Sequence, residues 1–229
     1  SSDVCSSDLS TLTDWVVVRK MLTSGLSDLT RKKWLWVSIV VNLGFLFIFK
    51  YLDMMISWFN FVSLQVEGPD LPLQHLFLPV GISFYTFQSM SYSIDVYRTR
   101  EKTFDTFIQF SCYVSFFPQL VAGPIVRAKH FHSELTKERN FTVLNLKVGL
   151  AFIVFGLVKK LVVADNLGLH VDEIFSSAKA VENTIAVMYG SLCFGIQIYC
   201  DFSAYTDIAI GSAILFGIKL PENFNHPYL

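Results

Sequence analysis

Charge is what this sequence has least of. Only 16% of its 229 residues are Asp, Glu, Lys or Arg, whereas 52% are hydrophobic; soluble domains carry about a quarter charged residues. So much apolar surface exceeds what one soluble core can hide, and the composition points instead to a polytopic membrane protein. The net charge of −1 and the lack of a basic stripe exclude a nucleic-acid partner. Cysteine is scarce too. Cys5, Cys112, Cys193 and Cys200 form no CxxC pair, so they read as small apolar filler and not as a disulfide or metal framework. His130 and His132 make a lone HxH without further ligands, which leaves metal sites at none. GxSxG, GxGxxG and P-loop patterns are missing, so no nucleophile elbow or nucleotide cradle is expected, and no bound cofactor.

The termini lack ordinary features as well. No initiator Met and no signal-peptide layout is present. "SSDVCSSDL" (1–9) nearly duplicates itself and differs from everything after it. It is expected to be foreign sequence, leaving 10–229 as the part to interpret. "LPENFNHPYL" ends the chain in mid-motif.

Long apolar runs, in contrast, are plentiful. A spanning helix needs about 20 mostly apolar residues. The first candidate is 34–49, bracketed by Arg31, Lys32 and Lys33 on one side and Lys50 on the other. Trp34, Trp36 and Trp58 suit the interfacial belt. Residues 51–66 either extend that helix or lie at the interface. Further candidates are 71–94 (with His75 near the interface), 106–126, 148–164 and 183–200. Lys159 and Lys160 interrupt the fourth of these runs and can snorkel if they lie near a helix end. Residues 165–182 read as an extramembrane turn with a short helix, and 127–147 as a polar loop.

The run from Thr106 to Val126 holds 21 residues without a charge, yet it contains Pro118, Gln119, Gly123 and Pro124. Its flanking loops carry Arg98, Arg100 and Lys102 before it and Arg127, Lys129, Lys137, Arg139 and Lys147 after it. Both loops are cytoplasmic by the positive-inside rule, which a simple crossing would forbid. A segment that enters the membrane and turns back satisfies both charges and prolines. Such backbone survives only where protein or a water-filled cavity shields it from lipid. The alternative is an ordinary kinked helix whose loops ignore the rule.

"QIYCDFSAYTDIAIG" (197–211) places Asp201 and Asp207 beside a long apolar span, with Gln197, Tyr199, Tyr205 and Thr206 around them. Carboxylates at membrane depth usually face a cavity or a partner. Six residues apart, they project about 120° from each other on an unbroken helix, which argues against a shared-proton dyad. A break or hairpin is expected between them. They serve either by bonding helix termini or nearby basic groups and holding the cavity's shape, or directly in catalysis. Residue by residue, the chain reads as an all-α membrane bundle with a polar, partly broken interior, and enzyme, transporter and scaffold all stay open.

"FLPVGISFYTFQSMSYSIDVYR" (77–98), "YVSFFPQLVAGPIVR" (113–127) and "QIYCDFSAYTDIAIG…LFGIKLPENFNHPY" (197–228) together resemble the membrane-bound O-acyltransferase (MBOAT) family, in particular its bacterial alginate O-acetyltransferase branch. The resemblance covers roughly residues 30–229. It implies a multi-pass protein of the bacterial inner membrane with a tunnel through it. A cytoplasmic thioester such as acetyl-CoA would donate an acyl group to a polysaccharide hydroxyl outside, often through a partner protein. D-alanyl or peptidoglycan acyl transfer, or a non-enzymatic export role, are the alternatives.

The resemblance also implies a catalytic histidine, which is expected beyond Leu229; His226 matches neither of the family's histidine motifs. The chain is accordingly expected to be the middle part of such an enzyme, lacking amino-terminal helices and the catalytic part, inactive and unstable alone. Pro118, Gln119, Gly123, Pro124 and Arg127 match the broken segment; Asp201, Tyr205, Asp207 and Asn223 match polar positions around the tunnel. Arg127 is either an interfacial anchor or a contact for an anionic donor. Cys200 and Ala204 stand where the family has an aromatic and a glycine, which leaves the acyl group open.

Overall fold

The computed structural model describes residues 2–64, 69, 71–74, 81–120, 123–124, 126–139, 142–177 and 183–224, with side chains from residue 9 onward. All regular structure among them is helical: α1 (Ser2–Met21), α2 (Asp28–Leu64), α3 (Ile82–Thr99), α4 (Phe107–Val114), α5 (Phe117–Leu120), α6 (Ala128–Thr136), α7 (Val143–Val158), a π-helical stretch (Lys159–Ala164), α8 (Asp165–Ser176) and α9 (Thr184–Leu215). The chain forms two compact units, one of residues 1–116 with 127–132 and one of 117–126 with 133–229.

Two helices, α2 and α9, are long and apolar enough to cross a bilayer, and only 17% and 11% of their most apolar windows are buried. The pattern within them decides which solvent they were made for. On α2 the buried residues include Ser38, Asn42 and Ser63, while Trp36, Val40, Leu43, Phe47 and Trp58 point outward. On α9 the buried face is mostly small or polar, with Gly190, Cys193, Ser203, Ala204, Thr206, Ala209, Gly211 and Ala213 beside the one large residue Ile210, and Ile185, Met188, Leu192 and Ile198 are exposed. Water would demand the reverse. Small and polar residues inside, large apolar ones outside, is the arrangement that hydrocarbon favours.

In the first unit α1, α2 and α3 pack on one another, and α4 joins α1 and α3. Aromatic side chains fill the junction. Phe110 stacks on Trp15 at 5.9 Å and lies 4.9 Å from Tyr92; Phe104 contacts Tyr92 and Tyr113 at 5.3 and 5.2 Å. Tyr92, Phe104, Phe110 and Tyr113 are wholly buried, and tilted pairs at these spacings add to what their area alone contributes. The expected continuation of the first span through 51–64 is found, as one 37-residue helix. Its last turns are strapped by the following chain: Asp53 accepts from the Gln74 amide at 2.9 Å, and Asn60 both donates to Leu71 O at 2.8 Å and accepts from its N–H at 2.9 Å. The span anticipated at 71–94 is therefore shorter. Its helix begins only at Ile82, after Gly81 in the left-handed region (φ 77°). His75 lies outside the described residues.

In the second unit α7, the π stretch and α8 run on without a cap between them from Val143 to Ser176, so the short helix expected within 165–182 is present at 165–176, as a continuation of that rod and not after a turn. The supposed polar loop at 127–147 likewise contains α6 and the first turn of α7. Helix α9 packs along the whole of this rod. Gly149 lies against Gly211, and Gly156 against Ala204 and Ile208. The contacts run in opposite directions along the two elements, so α7 and α9 are antiparallel. A Cβ on Gly211 would stand 2.6 Å from Gly149 O, and one on Gly156 2.7 Å from Ala204 O. Small residues here let two backbones touch, which is how membrane helices gain packing energy without a hydrophobic drive. No break occurs at 201–207. The helix-break-helix expected there gives way to one 32-residue helix. The reason is that both carboxylates find cations on the neighbouring rod, so no backbone rupture is needed to expose them.

Candidate functional site

The interrupted run at 106–126 does fold as a break. Thr106 caps α4 through a capping box with Gln109. The helix stops after two turns at Val114, and Gln88 from α3 donates to Tyr113 O at 2.7 Å, satisfying one of the carbonyls that the stop leaves open. On the far side Lys129 Nζ comes to 3.6 Å from Glu101 Oε2, and His132 packs edge-on to Phe104 at 5.6 Å. The two flanks of the run thus come together within the first unit.

Between those ends Pro118, Gln119, Gly123 and Pro124 are all buried, and α5 packs on α9. Gly123 is confined by its neighbours: an added Cβ would sit 2.4 Å from Gln119 Cα and 3.0 Å from Pro118 O. No flexible side chain can move aside there. Gly123→Ala is therefore expected to lower the thermal stability of the intact protein by about 1–3 kcal/mol, the usual overpacking cost, read as a lower unfolding midpoint in detergent; an unchanged midpoint would show that the knot opens freely. Arg127 is exposed and belongs to the first unit. Asn223 is exposed as well, so neither joins the groups described next.

Asp201 and Asp207 are met by the two lysines that interrupt the fourth hydrophobic run. Lys159 Nζ lies 2.6 Å from Asp207 Oδ2; Lys160 Nζ lies 2.7 Å from Asp201 Oδ1 and 2.8 Å from Asp165 Oδ1. These lysines pair instead of snorkelling. The angular fit explains why. Adjacent residues diverge by roughly 100° on a helix, and Asp201 and Asp207 by about 120°, so two neighbouring lysines can each reach one carboxylate on the facing helix. The two aspartates do not form a dyad.

The π-helical geometry sits at this place: Asp165 N–H bonds back to Lys160 O, five residues earlier. Asn166 Nδ2 donates to Leu161 O and Val162 O at 3.2 and 2.8 Å, caring for the loosened carbonyls. Single π turns of this kind occur often at functional sites. Aromatic rings complete the group, with Lys159 over Phe155 at 4.7 Å and Lys160 over Tyr205 at 5.5 Å. Phe224 folds back to contact Tyr199 and Phe202 at 5.7 and 5.4 Å, so the chain after α9 returns alongside the Asp201 turn. With two lysines and three aspartates, the cluster carries a formal charge of −1.

Further along the same α7–α9 seam lies an apolar crevice of about 340 Å³, lined by Leu144, Val148, Phe152, Ile210 and Ile214, with Lys219 and Glu222 at its rim. Sequence reasoning placed Asp201, Tyr205 and Asp207 at a polar site but missed Asp165 and misread Lys159 and Lys160. The available signal was two adjacent lysines in a run too apolar to carry them without partners.

Comparison with known proteins bears on what such a site serves. The profile of MBOAT, the membrane-bound O-acyltransferase family, matches residues 58–228. The chain belongs to this family. Among curated relatives, the probable alginate O-acetylase AlgI of Pseudomonas aeruginosa is 36% identical over 94% of this chain and 41% of its own length. The peptidoglycan O-acetyltransferase of Helicobacter pylori is 35% identical over 86% of the chain and 42% of its own length. The teichoic acid D-alanyltransferase of Bacillus subtilis is 27% identical over 70% and 41%. The chain thus spans about two fifths of the length of these relatives. An alignment covering 94% of the chain leaves only about 14 residues outside it, so the likeness starts well before residue 30. Both the broken segment and the lysine–aspartate cluster lie within the MBOAT match.

Proposed function

We propose that these residues form the middle of a membrane O-acyltransferase that carries an acetyl group from a cytoplasmic thioester, such as acetyl-CoA, to a hydroxyl of an extracytoplasmic polysaccharide. The observation that carries this reading is the 36% identity to a probable alginate O-acetylase across nearly the whole chain. In the reaction the hydroxyl oxygen attacks the acyl carbon, the carbon–sulfur bond breaks, and the hydroxyl proton ends on the departing thiol. The general base expected for that proton is a histidine outside residues 1–229. What this region contributes is a wall. The buried Pro118–Pro124 knot and the ion-paired α7–α9 face keep polar backbone and charge away from lipid, where unsatisfied groups cost several kcal/mol.

The basic flanks of the re-entrant run lie on the cytoplasmic side of the inner membrane, and the acceptor polymer is reached through a partner acetyltransferase. The 35% identity to a peptidoglycan O-acetyltransferase supports a second reading in which the acceptor is a cell-wall glycan. Deleting the gene and measuring ester-linked acetate on each isolated polymer separates the two. Loss from secreted alginate supports the first reading, and loss from peptidoglycan supports the second. Loss from neither, with full expression in the parent strain, refutes both.

A further inference from the structure

We propose that the junction of α1, α2 and α3 binds one small monovalent cation, of the size of sodium, at Asp14. This carboxylate is fully buried, and no lysine, arginine or histidine among the described residues pairs with it. A lone carboxylate taken out of water costs several kcal/mol unless something neutralises it. Its hydrogen-bond partners among the described residues are uncharged oxygen-bearing side chains from the other two helices. Ser38 and Ser89 donate to its two oxygens, and Asn42 Nδ2 lies 3.0 and 2.8 Å from them. Ser93, one turn along α3 and also fully buried, faces the same carboxylate.

The balance of the group is what points to a cation. Asn42 is wholly buried, and its Oδ1 has no hydrogen-bond partner; its amide nitrogen is already spent on Asp14 and on Ser38 O at 2.9 Å. The cluster is rich in lone pairs and short of positive charge. Hydroxyl, amide and carboxylate oxygens are the ligands that hard cations take. A single carboxylate matches a single positive charge, so a divalent ion would be left under-neutralised. The site lies in the first unit, apart from the lysine–aspartate cluster of the second, and does not depend on the acyl-transfer reading. An ion there would tie three helices together and make their packing depend on the salt outside.

The test uses the intact membrane protein, purified without sodium and placed in nanodiscs. Thermal unfolding is followed at fixed ionic strength as choline chloride is exchanged for sodium chloride or potassium chloride. The unfolding midpoint is expected to rise with the logarithm of sodium concentration, as for any ligand bound only by the folded state, and to respond less to potassium. Asp14→Asn should lose that dependence. Ser89→Ala, which keeps the charge, should move the midpoint of the sodium response to higher concentration, and it carries the test if Asp14→Asn does not fold. A wild-type midpoint indifferent to which cation is present overturns the site and leaves Asp14 a carboxyl group held by its hydrogen-bond donors alone.

Discussion

Replacing Lys159 with methionine is expected to unfold or severely weaken the protein in its membrane. Its ammonium lies 2.6 Å from Asp207 Oδ2, with side chains 25% and 17% exposed. Removing one partner of such a pair strands the other charge, at a cost of about 3–5 kcal/mol. Against a total stability of about 5–15 kcal/mol that is a large share. The same principle says that removing both charges together costs little. Lys159→Met with Asp207→Leu should therefore restore accumulation in the membrane and most of the lost thermal midpoint, and so should the exchange Lys159→Asp with Asp207→Lys. Acetylation measured in the restored variants then divides two roles. Activity that returns with folding makes the pair a structural clamp. Folded but inactive protein in the apolar double variant alone, with the exchanged pair active, assigns the charge to the proposed acyl-transfer chemistry. Single and double variants that add without coupling would show that the two groups do not interact at all.

The second large effect is expected at the α7–α9 seam. Gly211→Leu puts a side chain where a Cβ alone would already stand 2.6 Å from Gly149 O and 2.9 Å from Phe152 Cβ. The backbone cannot yield as a side chain can, so the helices must separate. The cost is expected at the upper end of the 1–3 kcal/mol range for overpacking, or above it, read as loss of folded protein and a lowered unfolding midpoint. Separation would also pull Lys159 and Lys160 from Asp207 and Asp201, about one and three turns further along α9. A double variant of Gly211→Leu and Lys159→Met should accordingly lose much less than the sum of the two singles, since the first already breaks what the second removes. Full additivity would mean that the seam and the ion pairs are independent.

Both effects concern contacts that one-dimensional reading only half located. Composition and apolar run length were sufficient for the membrane class, since hydrocarbon imposes a length and a polarity on every crossing element. Pro118, Gly123 and Pro124 were legible as a break because proline and glycine act on their own backbone. The loop charges pointed to a re-entrant run, and the approach of Lys129 to Glu101 agrees with it. Element boundaries were less legible. The stretch at 165–182 was legible as holding a short helix, found at 165–176, but not that this helix runs on from the π stretch without a turn before it. The break expected between Asp201 and Asp207 came from treating two membrane carboxylates as an unmet cost.

By itself, then, the sequence determined an all-helical membrane protein of the O-acyltransferase family with one run whose helix breaks. Those properties follow from local chemistry and from the solvent. Only the tertiary structure decided what the charges do. Lys159 and Asp207 are 48 residues apart, and Asp14 and Ser89 are 75 apart. Whether a buried charge is a liability, a clamp or a binding site depends on which helix lies opposite. Helix pairing across such separations leaves no periodic trace in the chain, because packing at a small-residue seam such as Gly149 and Gly211 is set by both partners at once.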